Sequence, residues 1–250
     1  MCLCLFAIDQ HDEFPFVLLA NRDEFRRRPA EKARFWEEHP NVLAGKDLQG
    51  NGTWLGISKG GRIAFLTNYR HPRYFNRQGP TRGTLVSEFL TSEQDALGYL
   101  NSIEKPEEFN GFNLVVGTYD QLFYYSNVEN EPRPITVGYH GLSNAFLNTS
   151  WPKVDEGKKQ LQEAIESDQL DSSVLFGILK DEHRPDPNRL PDTGVGQELE
   201  KLLSPKFINS KEYGTVCSTV VKVHRNGTVY FEERSFDSDG NETDSVKFQF

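Results

Sequence analysis

The sequence is poor in sulfur-containing residues, with one methionine and three cysteines among 250 residues. An odd cysteine count in a chain of this length argues against a disulfide framework and suits a reducing cytoplasm. No His or Cys cluster accompanies Cys2 and Cys4 at zinc-binding spacing, and the six histidines are scattered. We therefore predict no metal site and no cofactor. With eighteen Phe against one Met, we expect a core of packed aromatic side chains.

Long apolar runs and an excess of basic residues are also missing. No apolar segment approaches the length of a membrane span, and the short apolar start lacks the basic leader of a signal peptide. A formal net charge of −9 argues against nonspecific nucleic-acid binding. We therefore expect one cytoplasmic domain over residues 1–250, with no nucleic-acid partner and no membrane span. The oligomeric state is left open.

Pairs of apolar runs joined by turn residues are abundant, and they predict β-hairpins. The predicted hairpins join residues 2–8 to 16–20, 53–57 to 62–67, 112–118 to 122–126 and 215–224 to 228–234, with a further strand at 246–250. In several of these runs apolar and polar residues alternate only partly, which indicates strands that are buried on both faces.

Helical apolar spacing occurs between the hairpins, at residues 84–90, 92–103, 153–166 and after Asp171. Ser92 and Asp95 resemble a capping pair, and Asp171 is a candidate N-cap. Residues 181–193 are rich in Pro, Asp and Arg and predict a long loop, a candidate lid. We predict an α+β fold in which antiparallel sheets stack and helices cover their outer faces.

Two catalytic or metal-binding motifs are present only superficially. Residues 56–60 match Gly-x-Ser-x-Gly, but the next residues predict a returning strand instead of the helix that a nucleophile elbow requires. Residues 237–241 resemble a calcium loop, but the glycine comes too early and the closing Glu is missing. Both segments are interpreted as hairpin turns.

The candidate nucleophile is Cys2. Removal of Met1 would leave a cysteine with both a thiol and a free α-amine, and the amine titrates near pH 8. The amine could then accept the proton of the thiol. Cysteine at this position is weak evidence by itself, and a structural role for the thiol is the alternative.

A polar segment, residues 21–24, closes the strand that pairs with the one beginning at Cys2. Antiparallel pairing brings the end of the second strand beside the start of the first. Arg22 would favour a thiolate there, and an acidic side chain of this segment could hold the ammonium or orient the amine. An ordinary charged turn explains this segment equally well.

Two asparagines could supply an oxyanion hole. Asn68 ends a predicted strand, and Asn144 follows a Gly-Leu-Ser segment. Side-chain amides can stabilise the oxyanion of acyl transfer without adding charge. For either residue alone, a structural Asx-turn is the simpler explanation.

A series of motifs in this order resembles the NRDE family, also called the transport and Golgi organisation protein 2 family. Those motifs are Cys2, Leu19-Ala-Asn-Arg-Asp-Glu-Phe25, Leu43-Ala-Gly-Lys-Asp47, Gly52-Thr-Trp-Leu-Gly56, Leu66-Thr-Asn-Tyr-Arg70, Gly111-Phe-Asn-Leu114, Gly141-Leu-Ser-Asn144 and Trp151-Pro-Lys153, with Tyr213-Gly-Thr215 and Glu233-Arg234 near the end. No single motif decides the match, but so many in order are highly specific.

The resemblance implies the four-layer αββα sandwich of N-terminal nucleophile hydrolases, and more distantly the choloylglycine hydrolase and penicillin V acylase group. It implies Cys2 as the nucleophile, Arg22 and Asp23 beside the thiol and amine, and Asn144 as the oxyanion donor. Substrate-binding roles are expected for Asn21, Glu24, Asn68 and Arg70. One departure is Val216, where the family commonly has arginine. Any contribution of that arginine to charge stabilisation or substrate recognition is therefore in doubt.

The leading hypothesis is a hydrolase of non-peptide amide bonds that acts on a small acyl-amide without a cofactor. The rival hypothesis is a non-catalytic binding or trafficking protein that handles haem or lipid on the same scaffold. The sequence has no Cys-x-x-Cys-His signature, so haem binding ranks second.

Overall fold

The computed structural model of the chain describes residues 3–75 and 78–250. It divides into two compact units, and each contains one sheet. Unit 1 comprises Met1–Arg27, Val137–Ser143 and Leu147–Phe250, and unit 2 comprises Arg28–Thr136 and Asn144–Phe146.

The described residues form strands and α-helices in the following order. The strands are β1 (Leu3–Ile8), β2 (Phe16–Phe25), β3 (Ala30–Phe35), β4 (Val42–Asp47), β5 (Leu55–Ser58), β6 (Arg62–Asn68), β7 (Phe112–Thr118), β8 (Gln121–Ser126), β9 (Arg133–Pro134), β10 (Gly138–Leu142), β11 (Tyr213–Val223), β12 (Val229–Phe236) and β13 (Glu242–Gln249). The helices are α1 (Gly83–Thr91), α2 (Ala96–Ser102), α3 (Pro152–Glu166), α4 (Ser172–Leu179) and α5 (Gln197–Leu202).

Unit 1 is built on a six-stranded antiparallel sheet in the order β10-β1-β2-β11-β12-β13. Strand β1 and the first eight residues of β2 are buried, because these strands lie inside the sheet and carry apolar side chains on both faces. Helix α3 packs against β1 and β10, and α4 packs against β2 and β11. The predicted burial on both faces is confirmed for this pair.

Unit 2 is built on a seven-stranded antiparallel sheet in the order β3-β4-β5-β6-β7-β8-β9. Helices α1 and α2 bury their apolar sides against it, in a core that includes Phe89, Tyr99, Phe112 and Tyr125. The Tyr99 hydroxyl donates to the carbonyl oxygen of Leu85 at 2.7 Å, so its polar atom is satisfied inside the core.

The predicted α+β class with antiparallel sheets is confirmed, and so are the four predicted hairpins within the described residues. Residues 59–61 join β5 to β6, and residues 237–241 join β12 to β13, so both rejected motifs are hairpin turns. The predicted Ser92–Asp95 capping pair is wrong. Asp95 alone caps α2, because its Oδ1 accepts from Gly98 N at 2.7 Å, whereas Ser92 is the C-cap residue of α1.

Asp171 is the N-cap residue of α4, as predicted, but its side chain makes no capping hydrogen bond. The predicted loop at residues 181–193 holds only a short 3-10 turn, Pro187–Arg189, and its role as a lid stays a prediction. None of the helices in the described residues is long and apolar enough to cross a membrane.

Candidate functional site

The end of β2 in unit 1 carries three consecutive buried polar residues, Asn21, Arg22 and Asp23. The Asn21 amide donates to the carbonyl oxygens of Leu179 at 2.9 Å and Lys206 at 2.7 Å. These bonds attach the strand end to α4 and to the segment before β11. Buried polar groups in such positions are costly unless paired, so the network fixes the geometry of this strand end.

Hydroxyl groups of β11 donate to one side-chain oxygen of Asn21 and to one of Asp23. Ser218 Oγ donates to Asn21 Oδ1 at 2.6 Å, and Thr215 Oγ1 donates to Asp23 Oδ1 at 2.7 Å. Thr215 Oγ1 also accepts from the backbone N–H of Ile208 at 2.9 Å. A relay of hydrogen bonds therefore runs from the backbone of residue 208 to the Asp23 carboxylate.

A β-bulge makes this pairing possible. Thr215 pairs with Asp23 and Cys217 pairs with Arg22, which leaves Val216 as an extra residue in β11. Without the bulge, Thr215 and Ser218 would face opposite sides of the sheet, because they are three residues apart. The bulge brings both hydroxyls to one face, where they reach side chains two residues apart on β2. Val216, where arginine was expected, occupies the bulge itself.

The face of the sheet opposite Asn21 and Asp23 carries a second group of buried side chains. Arg22 pairs with Cys217, and Glu233 pairs with Thr219, whose Oγ1 lies 3.3 Å from Glu233 Oε2. Burial raises the pKa of the Cys217 thiol well above its usual value, and the Glu233 charge adds to this, against the opposing effect of Arg22. This shift favours the protonated form of the Cys217 thiol, which is the poorer nucleophile.

We predict an energetic coupling between Asp23 and Thr215, measured by a double-mutant cycle. Hydrogen bonds to buried charged groups contribute about 1.5–3 kcal/mol, so Asp23→Ala and Thr215→Val should each lower the free energy of unfolding by that order. Their coupling energy should reach about 1–2 kcal/mol in urea denaturation. Thr243→Val on exposed β13 is the control, with an expected change within about 0.5 kcal/mol. A coupling near zero would contradict the relay.

Two further predicted site residues belong to this region of the sequence: the structure describes Glu24 but does not describe Cys2. Glu24 is half-buried, and its Oε1 accepts from the backbone N–H of Phe25 at 2.8 Å. Cys2 lies outside the described residues. Its chain neighbour Leu3 opens β1 and pairs with Asn21. Arg22 and Asp23 therefore continue β2 past the point where the described part of β1 begins.

In unit 2, the structure brings together three of the predicted site residues. The Asn144 side chain is buried, and its Nδ2 donates to the carbonyl oxygen of Asn68 at 2.9 Å. The Asn144 carbonyl oxygen accepts from the backbone N–H of Arg70 at 2.8 Å. Residues 68–70 and 144 thus form one hydrogen-bonded corner. Their roles in oxyanion stabilisation and substrate binding stay predictions.

Asn113 of β7 also supports this corner, although sequence reasoning did not identify it as a site residue. Its Nδ2 donates to Thr67 Oγ1 at 3.0 Å and to the carbonyl oxygen of Ala145 at 2.9 Å, and its Oδ1 accepts from the Tyr124 hydroxyl at 2.8 Å. An asparagine inside an otherwise apolar strand is the signal that could have found it, because a buried amide needs partners. Buried polar residues inside strands of unit 1 give a similar signal; they are Thr215, Ser218 and Glu233.

Loop residues of unit 1 contain an ion pair in which the cation is buried and the carboxylate is half-buried. Lys206 Nζ lies 2.7 Å from Asp181 Oδ2, and the Lys206 side chain is almost fully buried. Burial alone would raise the pKa of Asp181, but the hydrogen bonds from Lys206 and from the backbone N–H of His183, together with the nearby positive charge, outweigh it and lower that pKa. This pair fixes residue 206, whose carbonyl oxygen in turn holds Asn21.

Comparison with a solved structure agrees with this architecture. The C2A mutant of conjugated bile acid hydrolase from Clostridium perfringens aligns with all of this chain and 97% of its own, with a TM-score of 0.53 at 10% sequence identity. At that identity the likeness shows the fold alone. The chain has the hydrolase fold of N-terminal nucleophile type.

Sequence comparison gives full-length relatives. The transport and Golgi organization 2 homolog of Mus musculus is 37% identical over 274 residues, covering 100% of this chain and 99% of the relative. The homolog of Bos taurus is 39% identical, covering 94% and 93%. The family model described as "Transport and Golgi organisation 2" matches residues 1–238. The chain therefore belongs to the transport and Golgi organisation 2 family.

Proposed function

We propose that this protein is an N-terminal cysteine hydrolase that cleaves the amide bond of a small acyl-amide. The observation that supports this most is the buried polar end of β2. Arg22 and Asp23 continue past Leu3, the first described residue of β1, and Cys2 is covalently joined to Leu3. Buried charged groups are costly, so their retention at this strand end fits a chemical role.

The chemistry follows from the groups that Cys2 carries once Met1 is removed. The α-amine takes the proton of the thiol, and the thiolate attacks the amide carbonyl carbon to form a tetrahedral intermediate. When the C–N bond breaks, the ammonium returns its proton to the leaving nitrogen. Water, deprotonated by the same amine, then attacks the thioester and releases the acid with regeneration of the thiol.

Within this proposal, Arg22 favours the thiolate through its charge and Asp23 favours the ammonium through its carboxylate. Asn144 donates to the oxyanion, as in the resembling hydrolases. The Asn68 carbonyl oxygen holds the Asn144 side chain, and the backbone N–H of Arg70 holds the Asn144 backbone. Asn21 serves mainly to fix the strand end, because its amide bonds to Leu179, Lys206 and Ser218.

The first test is labelling with substoichiometric iodoacetamide followed by peptide mass mapping. A processed Cys2 should be modified at least about 100-fold faster than the other two cysteines. Cys4 is fully buried, and burial raises the pKa of Cys217, so both thiols should react only through opening of the fold. Equal labelling of all three, or a mass that retains Met1 in a protein that hydrolyses amides, would overturn the proposal.

A matched pair of variants tests Arg22 in the same assay. Arg22→Gln removes the positive charge, so the pH dependence of Cys2 labelling should move to higher pH, whereas Arg22→Lys should stay close to the parent. Circular dichroism checks that each variant is folded. If neither variant moves the profile, Arg22 does not act on the thiol. The binding or trafficking alternative gains support if folded, processed protein shows no preferential labelling of Cys2.

A further inference from the structure

A long segment of this acidic protein contains no acidic residue. No Asp or Glu occurs from residue 48 to residue 87, although the chain holds 37 of them. The basic residues of the same segment are Lys59, Arg62, Arg70, Arg73, Arg77 and Arg82. The segment therefore carries only positive formal charge within an anionic chain. Exposed positive side chains attract anionic ligands.

Three aromatic rings in the middle of this segment form a patch with Phe146 from elsewhere in unit 2. We define this aromatic patch as Tyr69, His71, Tyr74 and Phe146. The Tyr69 ring centroid lies 4.9 Å from that of Phe146 and 5.6 Å from that of Tyr74, and His71 lies 5.8 Å from Tyr74. His71 is exposed and the other three side chains are half-buried. Rings that contact one another yet keep an open face offer an apolar surface to a ligand.

Backbone hydrogen bonds hold the patch in place. Tyr69 N donates to the carbonyl oxygen of Gly111, and Gly111 N donates to that of Tyr74, both at 2.9 Å. A Cβ at residue 111 would lie 3.0 Å from the Tyr74 Cβ and 3.1 Å from the Tyr69 Cβ, so glycine permits this close approach. A surface fixed before binding loses little conformational entropy when a ligand arrives.

The patch is continuous with the corner formed by residues 68–70 and 144. Tyr69 lies between Asn68 and Arg70, and Phe146 follows Asn144 by two residues. Beside the patch, Arg73 is exposed, and no ion pair engages it among the described residues. Glu129, whose charge adds to the burial that raises the pKa of Tyr69, is itself paired with Arg133 at 3.2 Å.

We propose that the aromatic patch, together with Arg73, binds an anionic amphiphile, a compound whose apolar body ends in an anionic group. This proposal goes beyond the proposed hydrolase function and does not depend on it. The apolar body of the ligand lies on Tyr69, Tyr74 and Phe146, and its charged end lies against Arg73.

The test measures binding without turnover, by fluorescence anisotropy of three probes with one naphthylbutyl body. They are 4-(2-naphthyl)butanoate, the corresponding alcohol and the corresponding ammonium. The carboxylate should bind about three- to fivefold more tightly than the alcohol, and the ammonium should bind more weakly than either. Arg73→Gln should remove the advantage of the carboxylate, while Phe146→Ala should weaken binding of all three probes.

Arg34→Gln is the matched control, because Arg34 is a half-buried arginine of unit 2 that pairs with Glu31 and Glu37. It should change none of the three affinities. Equal affinity for the three probes, or a carboxylate preference that survives Arg73→Gln, overturns this proposal. Charge-selective binding in a protein that hydrolyses no amide would support the proposed binding site and contradict only the proposed hydrolase function. Amide hydrolysis without charge-selective binding would support the hydrolase function and contradict the proposed binding site.

Discussion

Cys2→Ala is expected to lower kcat/KM for amide hydrolysis by at least about 10³-fold, because the thiol forms the covalent intermediate in the proposed reaction. The assay would use a panel of N-acyl amides with ninhydrin or mass-spectrometric detection of the released amine. Binding of the naphthyl probes should be unchanged, since the alanine keeps the processed amine and removes only the nucleophile.

Cys4→Ala is the control for this loss. Cys4 lies in β1, two residues after Cys2, and its side chain is fully buried. The small cavity should cost about 1 kcal/mol of stability, with kcat/KM within about threefold of the parent. If Cys2→Ala keeps full activity, the nucleophile lies elsewhere. If Cys4→Ala abolishes activity in a folded protein, the assignment of the nucleophile to Cys2 would be wrong.

The second large effect is structural and concerns Gly52 in unit 2. The Gly52 carbonyl oxygen accepts from Asp47 N at 2.8 Å, and the next residue, Thr53, donates its N–H to the carbonyl oxygen of Gly83 at 3.1 Å. A Cβ at residue 52 would lie 2.3 Å from the Gly83 carbonyl carbon and 2.6 Å from Thr84 N. These are backbone atoms at the start of α1, so they cannot rotate away. Only the absence of a side chain lets α1 approach so closely.

Gly52→Ala should therefore lower the free energy of unfolding by about 3 kcal/mol, near the upper end of overpacking effects. For a chain of this length that corresponds to a fall in Tm of roughly 6–12 °C. Gly60→Ala is the matched control in the same unit, because the nearest atom to its Cβ would be Ser58 Oγ at 3.7 Å. Its Tm should stay close to that of the parent. Equal Tm values for both variants would contradict the close approach of α1.

Local sequence signals predicted the hairpins and missed several other elements for identifiable reasons. The turn residues between β5 and β6 and between β11 and β12 are local, so the pairs could be predicted without knowing the fold. Strand β3 was missed because its sequence, Ala-Glu-Lys-Ala-Arg-Phe, is charged and lies at a sheet edge. Strand β10 contains two glycines and becomes a strand through pairing with β1.

The candidate site was predicted only in part, because some of its pairings are local in the sequence and others are not. Arg22 and Asp23 could be placed at a strand end because their strand follows its partner after one short turn. The hydroxyls that satisfy this strand end come from β11, and the register that delivers them depends on the bulge at Val216. Nothing local in the sequence specifies a bulge or a pairing over that distance. The bonds from Asn144 to Asn68 and from Arg70 to Asn144 were missed on similar grounds.

The long-range pairing of β2 with β11 has a consequence for the order of events during synthesis. Asn21 and Ser218 are 197 residues apart in the chain. At about 5–20 residues per second, β2 leaves the ribosome roughly 10–40 s before β11 does. Throughout that interval the strand that carries Arg22 and Asp23 lacks its β11 neighbour, and the six-stranded sheet is incomplete. Removal of Met1, which the proposed chemistry requires, thus has a defined period before the sheet is complete.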